Sequence, residues 1–368
     1  MSDRIRSAII GAGFIGAVHA RAVRAAGGTV SVVAAGTPER GAQAAQRLHA
    51  DRFASAEEAV VAADVDLVHI CTPNHLHAAL AERALRAGKH VICEKPLATS
   101  TADAQRLTAL AQEAGTVTAV PFVYRFYSTV RDARGRVLRG DTGPLRLLHG
   151  SYLQDWLSRA DEEDWRTDPE LGGRSRAFGD IGVHWCDLVE FTTGHRIVRL
   201  GARLLHVPRT VSGSRTEDGV VVQFETDRGA LGSVVISQVS PGRKNRLWFS
   251  LDGSESSLQF DQEHPEELWI GGRGSGTLVP RGTENTTADA HPYDLVPAGH
   301  PQGYQDCFTS FVADVHSAIA GRRPEGLPDF GDGLRAARLT DAVLESAAAD
   351  GAWTRVPTQE SAHAERVA

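Results

Sequence analysis

Cysteine is scarce in this sequence, and so are long apolar runs and clusters of positive charge. The 368 residues include four cysteines, widely spaced and without a Cys-x-x-Cys pair, which predicts neither a zinc site nor a disulfide framework. Each is better explained as a small buried apolar residue in a reducing cytoplasm. No apolar run approaches the ~20 residues of a membrane span. Because the chain leads directly into a predicted strand, no signal peptide is expected.

The balance of charge argues against further classes of partner. The formal net charge is −7, and acidic and basic residues are interspersed along the chain. A nucleic-acid-binding protein needs a basic face, so no nucleic-acid partner is expected, and no membrane partner is expected either. No cluster of His, Cys and Asp has metal-ligand spacing, which predicts no metal site. The length itself predicts two domains.

The chain is organised around a glycine-rich turn at residues 9–16. The apolar residues before this turn predict a buried parallel strand, and those after it recur at helical spacing. Gly11 allows a tight turn, Gly13 lets the backbone approach a pyrophosphate, and Gly16 lets the helix pack closely on the strand. The N–H groups and dipole at the helix N-terminus attract that anion. The pattern therefore predicts a dinucleotide-binding loop.

Strands and helices alternate over the first 122 residues. The predicted strands lie at residues 8–10, 30–34, 65–71, 90–93 and 116–120. Thr37 before Pro38, the capping box at Ser55 and the N-cap Ser100 mark helix starts, and Gly115 marks a helix end. This alternation predicts an α/β, doubly wound parallel Rossmann sheet, with residues 1–122 as the dinucleotide-binding domain.

The pattern changes near residue 121. A helix at about 127–139 ends at Gly140, and long alternating strands with tight turns follow. The predicted strands lie at residues 145–154, 197–206, 219–226, 230–239, 245–251, 256–261 and 267–271, and the helices at 180–192, 303–320 and 331–349. Residues 272–300 are predicted to be a long loop and residues 359–368 a loose tail. Residues 123–358 thus predict an α+β domain with a large, mostly antiparallel sheet, for substrate binding and oligomerisation.

Four motifs occur in order along the chain: the glycine turn, Thr72-Pro73-Asn74, Glu94-Lys95-Pro96, and the Gly-Asp-Ile-Gly-Val-His run at 179–184. Together they resemble the Gfo/Idh/MocA family of sugar oxidoreductases, the glucose–fructose oxidoreductase and inositol dehydrogenase family, over nearly the whole chain. Residues 152–156 resemble a segment of its levoglucosan and glucoside 3-dehydrogenase branch, which oxidises a pyranose C3 hydroxyl. The resemblance implies hydride transfer between a nicotinamide and a secondary hydroxyl of a sugar, anhydrosugar, glycoside or cyclitol. It also implies a homo-oligomer, expected here as a homodimer or homotetramer.

Lys95 is the first candidate catalytic residue. Oxidising a carbinol requires a hydride acceptor, a base for the hydroxyl proton, and positive charge near the forming alkoxide. Lys95 follows a predicted parallel strand, and ligands bind at the carboxyl ends of such strands. A surface lysine is the structural alternative, but the position between a strand end and Pro96 favours function. The resemblance implies a cis Lys95–Pro96 peptide.

Asp180 and His184 are the other candidate catalytic residues. They are spaced i,i+4, and Asp187 follows at i+7, so on one α-helix all three would share a face. Histidine titrates near neutrality and therefore suits general acid–base chemistry, while Asp180 could orient the imidazole or bind a hydroxyl. A core histidine and a helix N-terminal aspartate are the structural alternatives. Lys95 and His184 come from different predicted domains.

Planar polar groups and aromatic rings suit sugar binding, and both types cluster after the Rossmann domain. Arg125 follows the predicted sheet, and the resemblance implies Gln154, Trp156 and Arg166 as substrate contacts. Core packing is an equally good explanation of the tryptophans. The substrate-binding residues are predicted to be Lys95, Arg125, Gln154, Trp156, Arg166, Asp180 and His184.

The cofactor-binding residues are predicted from the glycine turn and the motifs that follow later strands. They are Gly11, Gly13, Phe14, Ile15, Gly16, Thr37, Arg40, Thr72, Pro73, Asn74, His77, Glu94 and Lys95. NAD specificity usually needs an acid after the second strand, but Ala35 and Gly36 occupy that position. Thr37 and Arg40 could hold a 2′-phosphate, as in NADP-using members of the family, so NADP(H) is favoured and NAD(H) possible.

Two alternatives to a dehydrogenase or reductase stay open. A redox-neutral glycoside lyase or hydrolase of the same fold would use Lys95 and His184 but return the hydride, so that no free NAD(P)H accumulates. A non-catalytic dinucleotide-binding sensor would keep the glycine loop without needing either residue. The presence of both residues counts against the sensor.

Overall fold

The computed structural model describes residues 4–159, 161–162, 164–208 and 216–357. The predicted loose tail at 359–368 therefore lies outside the described residues. Two compact units divide the chain: Met1–Val123 with Tyr304–Ala337, and Tyr124–Gly303 with Arg338–Ala368. Within the part described, no helix combines the length and apolarity needed to cross a membrane.

A six-stranded parallel sheet forms the centre of the first unit. Its strands are β1 (Arg6–Ile10), β2 (Thr29–Ala34), β3 (Arg52–Phe53), β4 (Leu67–Ile70), β5 (His90–Cys93) and β6 (Thr118–Ala119). The order β3-β2-β1-β4-β5-β6 reverses direction between β1 and β4, and the carboxyl ends of β1, β4 and β5 carry the motifs found in the sequence. The sheet confirms the predicted doubly wound fold. The short edge strand β3 was not predicted, because its two exposed residues lack an apolar run.

Helices connect these strands and begin and end where the sequence predicts. They are α1 (Phe14–Ala25), α2 (Pro38–Arg47), α3 (Ala56–Ala59), α4 (His77–Arg86) and α5 (Thr101–Ala114). Thr37, Ser55 and Ser100 each accept a hydrogen bond from a backbone N–H of the first helical turn. Gly115 ends α5 in the left-handed conformation that a glycine adopts without steric cost.

A nine-stranded sheet forms the centre of the second unit. Its strands are β7 (Leu145–Leu153), β8 (Ile197–Leu205), β9 (Gly219–Thr226), β10 (Leu231–Ser237), β11 (Arg246–Gly253), β12 (Ser256–Asp261), β13 (Glu267–Gly272), β14 (Gly276–Pro280) and β15 (Thr354–Arg355). They lie in the order β14-β13-β12-β11-β7-β10-β9-β8-β15. Among the residues that the structure describes, β7 and β10 are the one parallel pair in this sheet. The sheet is therefore mostly antiparallel, as predicted.

The remaining helices include α6 (Ser128–Arg139), α7 (Pro169–Gly172), α8 (Val183–Thr193), α9 (Tyr304–Ile319) and α10 (Phe330–Ala348). One prediction was wrong here, and another held for the helix but not for the form of its first turn. The predicted loop at 272–300 contains β14, because its alternating Thr277 and Val279 pair with β13. The predicted helix at 180–192 begins with a π-helical turn, Phe178–Gly182, so Asp180 is not on the regular α-helical face that carries His184.

Candidate active site

The glycine turn has the geometry of a phosphate-binding loop. Gly11 adopts φ +103°, and a Cβ atom there would clash with the carbonyl of Cys71, just as a Cβ at Gly16 would clash with Gly11. A Cβ at Gly13 would meet no atom within 4 Å. Gly11 and Gly16 are therefore required by the protein itself, whereas Gly13 leaves open space through which a ligand can approach the backbone.

The beginning of α1 supplies the donors for an anion. Its N-cap, Gly13, contributes no side-chain hydrogen bond, so the first backbone N–H groups of the helix are not capped by it. Phe14 is exposed and Ile15 half-buried. The guanidinium of Arg47, at the end of α2, donates to the carbonyl of Ala12 and so fixes the turn from its other side. These residues fit a dinucleotide pyrophosphate.

The two residues that directly follow β2, where an acid would bind the ribose hydroxyls of NAD, are not acidic. Ala34 ends the strand in the core, and Ala35 and Gly36 follow it. The Thr37 hydroxyl accepts from the Arg40 backbone N–H at 3.3 Å. The side chains of Glu39 and Arg40 are exposed, and a backbone hydrogen bond and the Thr37 hydroxyl lower the pKa of Glu39.

Two motifs lie side by side at the carboxyl ends of β4 and β5. Thr72, Pro73 and Asn74 follow β4, and Glu94, Lys95 and Pro96 follow its neighbour β5. All are half-buried except Glu94, which is buried. The Lys95–Pro96 peptide is cis, as the family resemblance implies.

His77 connects the two motifs. This buried residue opens α4, and its Nδ1 lies 2.7 Å from the Pro96 carbonyl oxygen while its Nε2 lies 3.0 Å from that of Thr72. Burial lowers the pKa of His77, and the two carbonyl oxygens oppose that shift. Both ring nitrogens therefore contact the protein backbone, although the sequence predicts His77 as a cofactor ligand.

A second buried histidine contacts Glu94. His19 of α1 places Nε2 3.0 Å from Glu94 Oε1 and Nδ1 2.9 Å from Nδ1 of His69 on β4. Glu94 Oε2 accepts the Lys95 backbone N–H at 3.2 Å. Burial, with His19 and His316 nearby, holds the pKa of His69 well below its ordinary value. Neither His19 nor His69 was predicted, because each lies in an apolar stretch whose periodicity already explains it.

In the second unit, buried contacts fix the segment that carries Asp180 and His184. The Glu217 carboxylate accepts the backbone N–H of Phe178 at 2.9 Å, where the π-helical turn begins. Further along, Trp185 Nε1 donates to the Trp248 carbonyl at 2.9 Å, and Gly150 of β7 leaves room for this indole. His184 is buried beside the Tyr124 ring, at a centroid distance of 5.1 Å, and Asp180 is half-buried.

Arg125 and Asp187 form a buried ion pair. Arg125 Nε donates to Asp187 Oδ2 at 2.8 Å, and the side chains are 7% and 8% exposed. The Arg125 guanidinium also lies over the Phe191 ring, 5.0 Å from its centroid. Asp187 thus binds Arg125, and Arg125, a predicted substrate contact, is largely enclosed by the protein.

Asp180 belongs to a polar network with predicted sugar-binding residues. Gln238 Nε2 donates to Asp180 Oδ2 at 2.7 Å and lies 3.4 Å from Gln154 Oε1. Trp156 Nε1 donates to the same Gln154 oxygen at 2.8 Å, so the orientation of the Gln154 amide is fixed. Arg166 Nε lies 3.9 Å from Asp180 Oδ1. The structure therefore brings Gln154, Trp156, Arg166 and Asp180 together.

Asn245 extends this network to two buried tyrosines. Its Oδ1 accepts from Gln154 Nε2 and from the Tyr152 hydroxyl, each at 2.8 Å. Its Nδ2 donates to the Tyr124 hydroxyl at 3.2 Å, and the two tyrosine hydroxyls contact each other. Because Tyr152 donates to Asn245, Tyr124 must donate to Tyr152, which closes a ring of three hydrogen bonds beside His184.

Gln238 and Asn245 were not predicted as site residues. Gln238 directly follows β10 and Asn245 directly precedes β11, so both are far from Gln154 in sequence. Neither belongs to a short motif. Their only sequence signal is an amide at a strand end.

Comparisons with known proteins identify the family of the chain. The oxidoreductase family model GFO_IDH_MocA, described as an NAD-binding Rossmann fold, matches residues 5–122, and the GFO/IDH/MocA C-terminal domain model matches residues 130–259. Levoglucosan dehydrogenase of Pseudarthrobacter phenanthrenivorans is 32% identical over 95% of this chain and 97% of that protein. 1,5-Anhydro-D-fructose reductase of Ensifer adhaerens is 31% identical over 89% of this chain and 91% of that protein. A solved structure of levoglucosan dehydrogenase with NADH and levoglucosan has a TM-score of 0.89 at 30% identity, covering 96% of this chain and 100% of that one.

Proposed function

The chain belongs to the GFO/IDH/MocA family of NAD-binding oxidoreductases, and we propose that it acts on a pyranose-like sugar or anhydrosugar at a ring hydroxyl. It is an enzyme that transfers a hydride between a nicotinamide and a secondary hydroxyl of a sugar, anhydrosugar, glycoside or cyclitol. The observation that supports the sugar class is the Gln154 amide, oriented by Trp156 and Asn245 within a network that reaches Asp180. Oriented amides, carboxylates and indole rings are the groups that recognise a polyhydroxy ring.

The proposed chemistry divides among three residues. The bound nicotinamide supplies the hydride acceptor or donor. The Lys95 ammonium stabilises the alkoxide that forms from the substrate hydroxyl, because a fixed positive charge in a half-buried position strengthens that interaction. The His184 imidazole takes the proton of the substrate hydroxyl. Asp180 binds a neighbouring substrate hydroxyl or orients the His184 imidazole. Arg166, Gln154 and Trp156 are proposed to hold the sugar.

The preference for NADP(H), with NAD(H) accepted, remains part of the proposal. Its support is that Ala35 and Gly36, which directly follow β2, place no carboxylate at the position usual for the ribose 2′-hydroxyl, and that the exposed Arg40 lies close behind them. A guanidinium suits a 2′-phosphate through paired, charge-assisted hydrogen bonds. The structurally similar levoglucosan dehydrogenase contains NADH, so the preference must be measured in this protein.

Assembly as a homodimer or homotetramer is proposed through one face of the nine-stranded sheet. Leu147, Val221, Leu231 and Val235 are each about half exposed, at 50%, 50%, 53% and 45%. Leu231 pairs with Leu147 and Val235 with Val221, so the four side chains share one face across three strands. A second copy of the sheet would cover this patch. Light scattering should show Leu231→Glu dissociating the assembly, with the exposed helix residue Leu138→Glu as control.

A cytoplasmic location is proposed from the cysteines. All four are buried, and burial raises the pKa of the Cys71, Cys93 and Cys307 thiols well above the ordinary value. Such thiols have little thiolate character and are suited to a reducing compartment.

The experiment that tests the function is a turnover screen. Levoglucosan, methyl glucosides, 1,5-anhydrosugars and myo-inositol are supplied with NAD⁺ and NADP⁺ in parallel, and reduced cofactor and sugar products are measured. Accumulation of NAD(P)H with a keto-sugar product supports the proposal. Release of an aglycone without net NAD(P)H would instead identify the redox-neutral lyase, and cofactor binding without any turnover would identify the sensor.

A further inference from the structure

Two buried histidines hold the residues on either side of Lys95. His19 comes from α1 and contacts the side chain of Glu94, the residue before Lys95, at 3.0 Å. His77 comes from α4 and contacts the carbonyl of Pro96, the residue after Lys95, at 2.7 Å. The residues before and after Lys95 are therefore both held by hydrogen bonds, each to a different helix of the same unit.

The first anchor reaches the backbone of Lys95 itself. A carboxylate only accepts hydrogen bonds, so His19 Nε2 carries the proton that faces Glu94 Oε1. In the neutral ring, His19 Nδ1 then accepts from Nδ1–H of His69, 2.9 Å away. The other Glu94 oxygen, Oε2, accepts the Lys95 backbone N–H. Three consecutive hydrogen bonds thus connect β4 to the peptide group at which the lysine side chain begins.

The second anchor, His77, links Pro96, which follows Lys95, to Thr72 of the Thr72-Pro73-Asn74 motif. His77 Nδ1 faces the Pro96 oxygen and Nε2 faces the Thr72 oxygen, which are both acceptors. A neutral ring can donate to one of them, and only an imidazolium can donate to both. The shorter contact is that to Pro96. His77 is fully enclosed, so its ring is the partner that the protein itself supplies to these two oxygens.

We propose that His19 and His77 are positioning residues, which fix the Lys95 backbone from both sides and thereby set the direction of its ammonium group. The inference rests on the proposed catalytic role of Lys95. Burying histidines at these positions carries a desolvation cost that an apolar side chain would avoid, which argues that their hydrogen bonds, rather than their volume, are needed. Small errors in the placement of a catalytic group lower the rate even when the fold is kept.

Paired amide substitutions separate hydrogen bonding from packing. Measured in bonds from Cα, an asparagine nitrogen corresponds to Nδ1 of histidine and a glutamine nitrogen to Nε2. His19→Gln keeps the donor toward Glu94, and His19→Asn loses it. At the other anchor the preference is reversed, because His77→Asn keeps the donor toward Pro96, whereas His77→Gln keeps only the one toward Thr72. If the two histidines only filled space, asparagine and glutamine would have similar effects or effects that follow their size. The better-tolerated amide would then be the same at both positions.

The kinetic result expected is this reversed pattern. His19→Gln and His77→Asn should keep kcat within about threefold, whereas His19→Asn and His77→Gln should lose about tenfold or more, the scale of one lost hydrogen bond to a charged or buried partner. KM for the cofactor should change little in all four. Equal losses for the two amides at each position would overturn the proposal.

A readout in the absence of substrate separates this inference from the proposed function. The chain has three lysines, Lys89, Lys95 and Lys244, so ¹⁵N-lysine labelling gives three backbone amide signals, of which Lys95→Arg identifies one. Exchange of the Lys95 amide hydrogen should be faster in His19→Asn than in His19→Gln, with Lys89 and Lys244 as internal controls. If exchange follows this order but no sugar is turned over, the proposed function fails and the positioning stands.

Equal Lys95 exchange in both His19 variants would overturn the His19 anchor whatever the activity. Thermal melting checks that each variant folds. If all four variants failed to fold, the two rings would be shown to maintain the unit as a whole, and the proposal would be rejected on that ground.

Discussion

His19 and His69 face each other inside the first unit through Nδ1 atoms 2.9 Å apart, and both side chains are fully buried. Two positive charges cannot occupy this contact, so at least one ring must stay neutral in the folded protein. Burial and the neighbouring His19 keep the pKa of His69 well below its ordinary value. The folded protein therefore resists a proton that the unfolded chain accepts readily.

The first prediction follows from the sign of this shift. Below about pH 6.5, the ordinary histidine value, the unfolded chain binds the proton first, so stability present above that pH is lost as the pH falls. His69→Asn keeps a donor toward His19 but does not titrate. The free energy of unfolding, measured by urea denaturation from about pH 7.5 to about pH 5, should fall less steeply in this variant. The difference in pH slope should correspond to at most one proton fewer taken up on unfolding. Parallel curves would contradict the prediction.

The second prediction separates two glycines of the phosphate loop. Gly11→Ala should destabilise the protein even without cofactor, because the new methyl group would clash with the Cys71 carbonyl at a φ of +103°. Gly13→Ala should leave the melting temperature of the cofactor-free protein nearly unchanged, because its Cβ meets nothing within 4 Å, and yet weaken cofactor binding. Melting scans with and without cofactor measure both effects. Similar behaviour of the two variants would contradict it.

The third prediction concerns the choice of cofactor. Arg40→Ala should weaken NADP(H) about tenfold or more and leave NAD(H) nearly unchanged, because one charge-assisted contact to the 2′-phosphate is lost. Gly36→Asp should shift preference toward NAD(H), since it adds a carboxylate after β2 where a Cβ has open space. Arg47→Ala is the control: it loosens the Ala12 carbonyl contact and should affect both cofactors alike. A wild-type preference for NAD(H) would reject the Arg40 assignment.

The fourth prediction assigns the proton. His184→Ala should lose about 10²–10⁴ in kcat with cofactor binding intact, the usual contribution of general acid–base catalysis. Lys95→Ala should lose at least as much, and Lys95→Arg should not restore it, because a planar guanidinium cannot replace a compact ammonium.

A pH–rate profile decides between these two residues. Loss of the lower-pH limb in His184→Ala supports His184 as the base. An unchanged profile in that variant, with most of the rate retained, would transfer the role of base to Lys95.

The fifth prediction tests Arg125 as a structural residue. Arg125→Met leaves the Asp187 carboxylate buried without its partner and should destabilise the second unit by about 3–5 kcal/mol. Adding Asp187→Leu should recover a large part of that loss, which a double-mutant cycle in urea measures. If Arg125→Met instead raises KM for sugar while stability is unaffected, the residue is a substrate contact, as the sequence predicts.

Both sheets could be predicted because apolar runs or alternating apolar residues mark most of their strands in the sequence. Runs such as residues 65–71 and 90–93 are mostly apolar and buried, as in parallel strands. The N-caps Thr37 and Ser100 mark helix starts, because each hydroxyl accepts the backbone N–H three residues further on. The edge strands β3 and β14 were missed, because an edge strand is exposed and its pairing partner, rather than its own composition, makes it a strand.

The candidate site could be predicted only where its residues lie next to one another in short sequence motifs. Glu94-Lys95-Pro96 and Thr72-Pro73-Asn74 were found, but the pairing of Arg125 with Asp187 and the hydrogen bonds of Asn245 join residues remote in sequence. The π-helical turn at Phe178–Gly182 also lay beyond sequence reasoning, since the i,i+4 spacing of Asp180 and His184 is the same whether or not the turn is regular.

The place of β7 has a consequence for synthesis of the protein. β8, β9 and β10 form successive hairpins, and so do β11 to β14, so each series can pair as soon as it leaves the ribosome. β7 precedes both series but pairs only with their members β10 and β11. Leu148 and Tyr152, buried in the finished sheet, therefore lack their neighbours on β10 and β11 until those strands have been made. The strand that joins the two halves of the sheet is therefore made well before either of its partners, with all of β8 and β9 synthesised in between.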